Sequence, residues 1–318
     1  MIHIGIIGTG KHGSRYANHI VHDLAGMNLT AICRRSDTGR QQANDWQCRY
    51  YQQWNDLIHD AEVDAVISVV PPALNQDIAK ACAAAGKPLL LEKPLAVSLE
   101  AGAEIVSGFA NAGLGLTVGQ TLRYNPMIRT ARENIGKIGT IRSIVAQHQL
   151  EPSDLPWLQD PCQAGAGVIL HTAVHVFDAL KYITGLQVAR VRAAGYKYGN
   201  RGVEDLVSVN LEFENGAAGL VQSGKVCPAR YGGYQFFGEN GLLAGDQIYN
   251  ELEIVHGTTR RAITPHIGFL PIQQLLIHWL AFLEGRGENP IPGEAGFDAL
   301  KICVACLKSM RKGDWVEV

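Results

Sequence analysis

A chain of 318 residues, 47% apolar and 18% charged, can build a full core and carries too little charge for a disordered or acidic-tail protein. Lysine plus arginine is 28 against 30 acids, a formal charge of −2, which gives no bulk electrostatic case for nucleic acid or an anionic membrane. No apolar run approaches the roughly 18 residues of a membrane span. The opening Met-Ile-His-Ile-Gly lacks the basic region and cleavage site of a signal peptide. Seven cysteines, an odd number scattered through apolar segments, read as reduced thiols, so the expected location is cytoplasmic.

Apolar runs at 2–7, 29–33, 65–70, 88–91 and 114–118 have the length and flanks of strands buried on both faces. Helical patterns fill the gaps, at 13–24, 38–46, 74–85 and 98–112. Such alternation demands parallel strands joined by right-handed crossovers, a doubly wound sheet. After Arg123-Tyr124-Asn125-Pro126 the rhythm changes. A helix is expected over 127–135, a strand over 141–150, a polar loop over 151–166, and a helix from 168 to 183 that Gly185 ends. From 187 to 263 the pattern is consecutive alternating strands without helices between them, which predicts an open, mostly antiparallel sheet. Helices at 271–284 and 295–311 close the chain. The reading is two α/β domains: 1–122, a doubly wound dinucleotide-type domain, and 123–318, a second α/β domain.

Gly8-Thr9-Gly10-Lys11-His12-Gly13 follows the first strand and opens a helix. The first glycine permits a tight turn, the second lets backbone approach a pyrophosphate, and the third lets helix and strand pack closely. The helix N-terminus offers N–H groups to phosphates. The plain alternative is a glycine-rich turn without a ligand. At the end of the second strand, where an acid would meet a ribose 2′-hydroxyl, stand Arg34, Arg35 and Ser36. Two guanidinium groups and a hydroxyl suit a 2′-phosphate, so NADP is expected over NAD; a solvated strand end is the alternative.

Glu92-Lys93-Pro94 closes the fifth strand, on the edge of the sheet where ligands bind. Lys93 there can address a substrate oxygen, or be a surface lysine beside a proline turn. His171, His175 and Asp178 share one face of the expected 168–183 helix. Three readings stand for them: a zinc site, a structural histidine held by Asp178, and acid–base chemistry. Thr172 occupies the place where a metalloprotease signature needs glutamate, and no further ligand set stands near, so no metal is expected. Cys303 and Cys306 have CxxC spacing inside an apolar helix and read as core packing rather than a redox pair. Tyr231 to Phe237 reads as sheet packing or a subunit contact.

Together these motifs resemble the glucose-fructose oxidoreductase and inositol dehydrogenase (Gfo/Idh/MocA) family over essentially the whole chain. The resemblance rests on the glycine loop at 8–13, Val70-Pro71-Pro72, Glu92-Lys93-Pro94, Arg123-Tyr124-Asn125-Pro126 and the helix entry at 165–178. It implies a Rossmann domain followed by an α/β domain whose open sheet serves in oligomer contacts. It implies catalytic roles for Lys93 and His175, with His171 beside them. Cofactor contacts fall on Gly8 to Gly13, Arg34 to Ser36, Val70, Pro71, Asn75, Glu92 and Lys93; substrate contacts fall on Lys93, Arg123, Tyr124, His171 and His175. Two departures stand out: His171 replaces the family's aspartate, and Asn75 replaces a histidine after the Pro-Pro step.

The expected function is an NADP-dependent oxidoreductase moving hydride between nicotinamide and a secondary alcohol or ketone of a sugar, cyclitol or related polyol. The expected partners are that small molecule and further copies of the chain, as a dimer or tetramer, with no nucleic acid and no membrane. The rival is a cofactor-binding regulator or scaffold without turnover. Loss of the family aspartate favours the rival; retention of Lys93 and His175 speaks against it.

Overall fold

The computed structural model describes residues 1–153, 156–199, 202–267 and 270–318. The chain forms two compact units, Met1–Thr121 with Phe269–Phe297, and Leu122–Gly268 with Asp298–Val318.

The first unit carries six strands: β1 (Ile2–Ile7), β2 (Met27–Cys33), β3 (Arg49–Tyr51), β4 (Ala65–Ser68), β5 (Leu89–Leu91) and β6 (Leu116–Val118). They lie in the order β3-β2-β1-β4-β5-β6, all parallel, the doubly wound arrangement of two mononucleotide-binding halves. The crossovers are α1 (Gly13–His22), α2 (Thr38–Asp45), α3 (Trp54–Ile58), α4 (Asn75–Ala84) and α5 (Leu99–Ala112). Ser98 caps α5 by accepting from the Ala101 N–H, and Gly113 ends it in the left-handed region at φ 66°. β4 and β5 are buried at every position, as a sheet covered on both faces requires. β3 and α3 were not expected: three and five residues are too short for a periodic pattern to register.

The second unit opens with α6 (Pro126–Asn134), where the Asn125 side chain caps the Met127 and Ile128 N–H groups and Pro126 starts the helix. β7 (Ile141–Gln149) follows, then α7 (Pro161–Ala164) and α8 (Val174–Thr184). The loop expected over 151–166 holds this short helix and a 3₁₀ turn at Pro156–Gln159; residues 154–155 of that loop lie outside the described residues. Then come β8 (Val188–Tyr196), β9 (Leu206–Phe213), β10 (Ala218–Gly224), β11 (Gly233–Gly238), β12 (Gly241–Asp246), β13 (Glu251–His256) and β14 (Thr259–Ala262). Residues 200–201 of the expected strand region likewise lie outside the described residues.

With the terminal β15 (Val316–Glu317) these make a nine-stranded sheet, β14-β13-β12-β11-β7-β10-β9-β8-β15, antiparallel except for the β7–β10 pair. β7 and β9 alternate buried and open positions, and α6 and α8 pack on the sheet.

α9 (Pro271–Leu283) belongs to the first unit, where it packs on α1, although the sequence reading ran the second domain unbroken over 123–318. Its buried stripe, Ile272, Leu275, Leu276, Trp279 and Leu280, shows in sequence that the helix packs, but not against what. The last helix, α10 (Gly293–Lys312), buries Cys303 and Cys306, and Cys303 Sγ donates to the Ile169 carbonyl. No helix among the described residues is long and apolar enough to cross a membrane.

Burial pushes the thiols of Cys33 and Cys48 to about 11 and of Cys82 to about 12, and raises Cys303 and Cys306 further, against the CxxC redox reading. Titration of the native protein with a thiol reagent should therefore modify the exposed Cys162 first, leaving Cys303 and Cys306 unreacted until denaturant is added. Mass mapping of modified peptides checks this, and early labelling of the α10 pair would contradict it.

Candidate active site

β1 delivers the chain into the glycine loop. Gly8 has φ +91°, and a Cβ there would stand 2.2 Å from the Val69 carbonyl oxygen. A Cβ on Gly13 would lie 1.9 Å from the Gly8 carbonyl oxygen, so close packing of turn and helix excludes a side chain. Over Gly10 a Cβ would meet nothing within 4 Å, which leaves backbone open to an approaching group. No side chain caps α1 and no acid occupies its first turn, so its N-terminal N–H groups suit an anion.

The loop is tied to the end of β2. Arg34 donates through Nη1 to the Thr9 carbonyl at 2.6 Å and through Nε to the Ser36 hydroxyl at 2.8 Å. Gln42 braces both sides, accepting from Thr9 Oγ1 at 2.8 Å and from Arg34 Nη1 at 3.1 Å. Arg35, Ser36 and Lys11 are exposed. The open Gly10, the uncapped helix and the cationic β2 end fit the pyrophosphate and adenosine half of a dinucleotide.

On the other half of the sheet Glu92, 6% exposed, follows β5 and gathers three elements. Its Oε1 accepts from His12 Nε2 at 2.8 Å and from Tyr16 Oη at 2.6 Å; Oε2 accepts from the Lys93 N–H at 3.1 Å. A Cβ on Gly119, just past β6, would come within 2.9 Å of the carboxylate, so that glycine is the space the carboxylate occupies. Burial works to raise the Glu92 carboxyl, but the hydrogen bond and charge of His12, then Lys93 and Tyr16, hold it below the ordinary range. Burial lowers the Lys93 ammonium, with Glu92 opposing. The Lys93–Pro94 peptide is cis.

Asn75 is the first residue of α4. Its buried amide donates to the Pro94 and Leu95 carbonyls at 2.9 and 3.3 Å, bracing the turn that carries Lys93. The His12 ring likewise faces Glu92. Val70 and Pro71 lie half-buried past the end of β4.

In the second unit Arg123 and Asp178 form a two-bond fork, Nε to Oδ2 at 2.8 Å and Nη2 to Oδ1 at 2.6 Å. The Arg123 guanidinium also lies over the Tyr182 ring at 5.3 Å. Burial pushes the Asp178 carboxyl up and the fork pulls it back, while the fork raises Arg123 against its own burial. Both Asp178 oxygens thus serve Arg123. Tyr124 is buried beside them, and burial raises its phenol.

The helix expected from 168 begins as a π-turn, Ile169–Ala173, and becomes α-helical only at Val174. His171 lies in the π-turn and His175 in the first turn of α8, so the shared face rests on mixed geometry. His171 Nε2 donates to the Ala164 carbonyl at 3.0 Å, and its ring meets Trp157 edge-on at 5.2 Å. A carbonyl only accepts, so in the neutral ring the other nitrogen, Nδ1, is an acceptor. Glu204 holds the entry, accepting from the Ile169 N–H at 3.1 Å, and a Cβ on Gly167 would collide with its backbone carbonyl at 1.8 Å. Tyr234, read from sequence as sheet packing, is buried, and its hydroxyl hydrogen-bonds no described residue. Burial, then the charges of Asp178 and Asp246, raise its phenol. No group of three or more potential metal ligands occurs among the described residues.

Because the Glu92 carboxyl sits below its unfolded value, it contributes stability above the unfolded range near ~4.3 that is lost as pH falls through the folded value. Glu92→Gln should destabilise the protein by about 1.5–3 kcal/mol at pH 7, the scale of hydrogen bonds to a charged group. Urea midpoints should show that gap narrowing as pH falls through the lowered folded value of the wild-type carboxyl; a gap constant with pH would contradict the assignment.

Comparison with known proteins agrees with this geometry. Residues 2–120 match the family described as "Oxidoreductase family, NAD-binding Rossmann fold", and residues 128–244 match the "GFO/IDH/MocA C-terminal domain". A 1,5-anhydro-D-fructose reductase of Ensifer adhaerens is 29% identical, covering 83% of this chain and 82% of its own length. Inositol 2-dehydrogenase 1 of Saccharopolyspora erythraea is 26% identical over 100% of this chain and 96% of its own. The fold matches that of a levoglucosan dehydrogenase in complex with NADH, with a TM-score of 0.89 at 22% identity, covering 100% of this chain and 99% of the other. Two successive family matches span well over half of the sequence, and the chain belongs to the Gfo/Idh/MocA family of oxidoreductases with an NAD-binding Rossmann fold.

Proposed function

We propose that this protein is an NADP-dependent oxidoreductase acting on a secondary alcohol or ketone of a sugar, cyclitol or related polyol. The observation that carries the reading is the open, uncapped glycine loop tied by Arg34 to Ser36 at the end of β2, where no carboxylate stands to meet a 2′-hydroxyl. The names of the relatives, an inositol dehydrogenase and an anhydrofructose reductase, support the polyol class.

When bound, the nicotinamide supplies the hydride chemistry. In the oxidative direction His175 accepts the substrate hydroxyl proton, which a neutral imidazole can do near neutral pH. Lys93 stabilises the oxygen as it gains negative charge, an interaction that strengthens toward the transition state. The burial that lowers the Lys93 ammonium also strengthens its field at such an oxygen. His171 is a positioning residue: anchored through Nε2 to Ala164, it presents Nδ1 as an acceptor in place of the carboxylate usual in the family. Arg123 and Tyr124 are substrate contacts, the former held rigid by Asp178. The Tyr234 hydroxyl is a candidate contact of the same kind.

Self-assembly through the open face of the second sheet belongs to this reading. Leu220 on β10 and Phe237 on β11 are 44% and 39% exposed there. Sedimentation should give a dimer or tetramer at micromolar concentration; a monomer would contradict it.

Steady-state kinetics on a polyol and keto-sugar panel, followed by NADPH absorbance, test the function. His175→Ala and Lys93→Ala should each lower turnover by roughly 10²–10⁴-fold. His171→Ala should have a smaller effect, and His171→Asp should be tolerated. Arg34→Asp should weaken NADPH by about 1–3 kcal/mol. Tighter binding of NADH than NADPH at moderate salt would overturn the cofactor assignment, and near-wild-type turnover in His175→Ala the catalytic one.

A further inference from the structure

Gln120 stands two residues past β6 in the first unit and is 1% exposed, yet neither its amide nitrogen nor its amide oxygen hydrogen-bonds any described residue. Burying a whole carboxamide without partners is costly, and native structures rarely leave one so. A short hydrophobic residue would fill the volume without that cost. The retention of a donor and an acceptor together points to a ligand that supplies both.

Register places the group. β4, β5 and β6 align Ser68, Leu91 and Val118 at their carboxyl ends. One step on, the Gly119 N–H donates to Leu91 at 2.8 Å, and Gly119 abuts the Glu92 carboxylate. At the next residue the chain turns, the Gln120 N–H donating back to the Val118 carbonyl at 2.8 Å. Gln120 therefore lies on the carboxyl edge of the sheet, in the half formed by β4 to β6. In the strand order seen here the glycine loop and β2 serve the adenosine half, so the β4–β6 half takes the nicotinamide mononucleotide.

We propose that Gln120 recognises the nicotinamide carboxamide, its side-chain N–H donating to the ligand carbonyl and its side-chain carbonyl accepting from the ligand amide N–H. Two carboxamides pair in this way with every donor and acceptor matched. The proposal rests on the dinucleotide reading above and deepens it, assigning a residue that no motif marks.

The test compares three probes on wild type and Gln120→Leu by calorimetry. They are NADP⁺, its 3-acetylpyridine analogue, in which a methyl ketone replaces the carboxamide, and ADP-ribose 2′-phosphate, which lacks the ring altogether. The variant should weaken NADP⁺ roughly tenfold, the scale of one or two buried hydrogen bonds. It should weaken the analogue less, and leave ADP-ribose 2′-phosphate unchanged. Its ligand-free melting temperature should equal or exceed that of wild type, because an apolar isostere removes an unsatisfied buried amide. Equal weakening of all three probes, unchanged NADP⁺ binding, a raised KM for polyol alone, or a lower melting temperature each overturns the assignment. Failure of wild type to bind any of the three overturns instead the dinucleotide reading on which it rests.

Discussion

The buried Glu92 carboxylate is the point on which the first unit turns. A charge in that position survives only if it is hydrogen-bonded on both oxygens, and the sequence supplies the partners from separate elements: His12 and Tyr16 from the glycine loop and α1, and the Lys93 N–H from its own strand end. Gly119 contributes by having no side chain. The loop that would hold a pyrophosphate and the turn that presents Lys93 are thus fixed to one another by a single group. Asn75 braces the same turn from α4. Positions that look like independent motifs in the sequence are one hydrogen-bonded assembly.

The second unit solves a parallel problem with a different pair. Asp178, buried within α8, is matched by a two-bond fork from Arg123, and Tyr182 stacks on the guanidinium. Removing either charge would strand the other in the interior, a change that costs about 3–5 kcal/mol in comparable pairs. The fork holds the start of α6 against α8, and Glu204 with Cys303 holds the π-turn in which His171 sits. The histidines are therefore presented from a stretch of helix whose shape is set by contacts far along the chain.

What the sequence discloses follows from the range of the forces involved. The strand–glycine loop–helix opening is legible because local sterics dictate it: Gly8 and Gly13 are there since no side chain fits. The alternating second sheet is legible for the same kind of reason, a period of two imposed by one covered face. Asp178 illustrates the opposite case. Helix spacing puts it on the side of His171 and His175, but its partner lies 55 residues away and nothing local announces it. The π-turn leaves no mark in composition, and α9 advertises an apolar stripe without naming the surface it covers. Asn75 and His12 have their places in motifs, but the inward hydrogen bonds of their side chains, to the Pro94 carbonyl and to Glu92, leave no local signal. Nothing in the sequence marks Gln120, because a lone polar residue at a strand end carries no periodic signal, and Tyr234 reads as sheet packing because its strand is aromatic.

The central claim is that hydride passes between a polyol carbon and a nicotinamide held in the first unit. Its most direct measurement is isotopic. The protein is incubated with NADP⁺ and a mixture of cyclitols and sugar alcohols deuterated at their carbinol carbons, and the recovered cofactor is analysed by mass spectrometry and proton NMR. The account predicts deuterium at C4 of the nicotinamide, on one face only, matched by a ketone in the polyol pool. Bound cofactor recovered without deuterium across the panel, or deuterium lost to solvent with the cofactor unreduced, would contradict it.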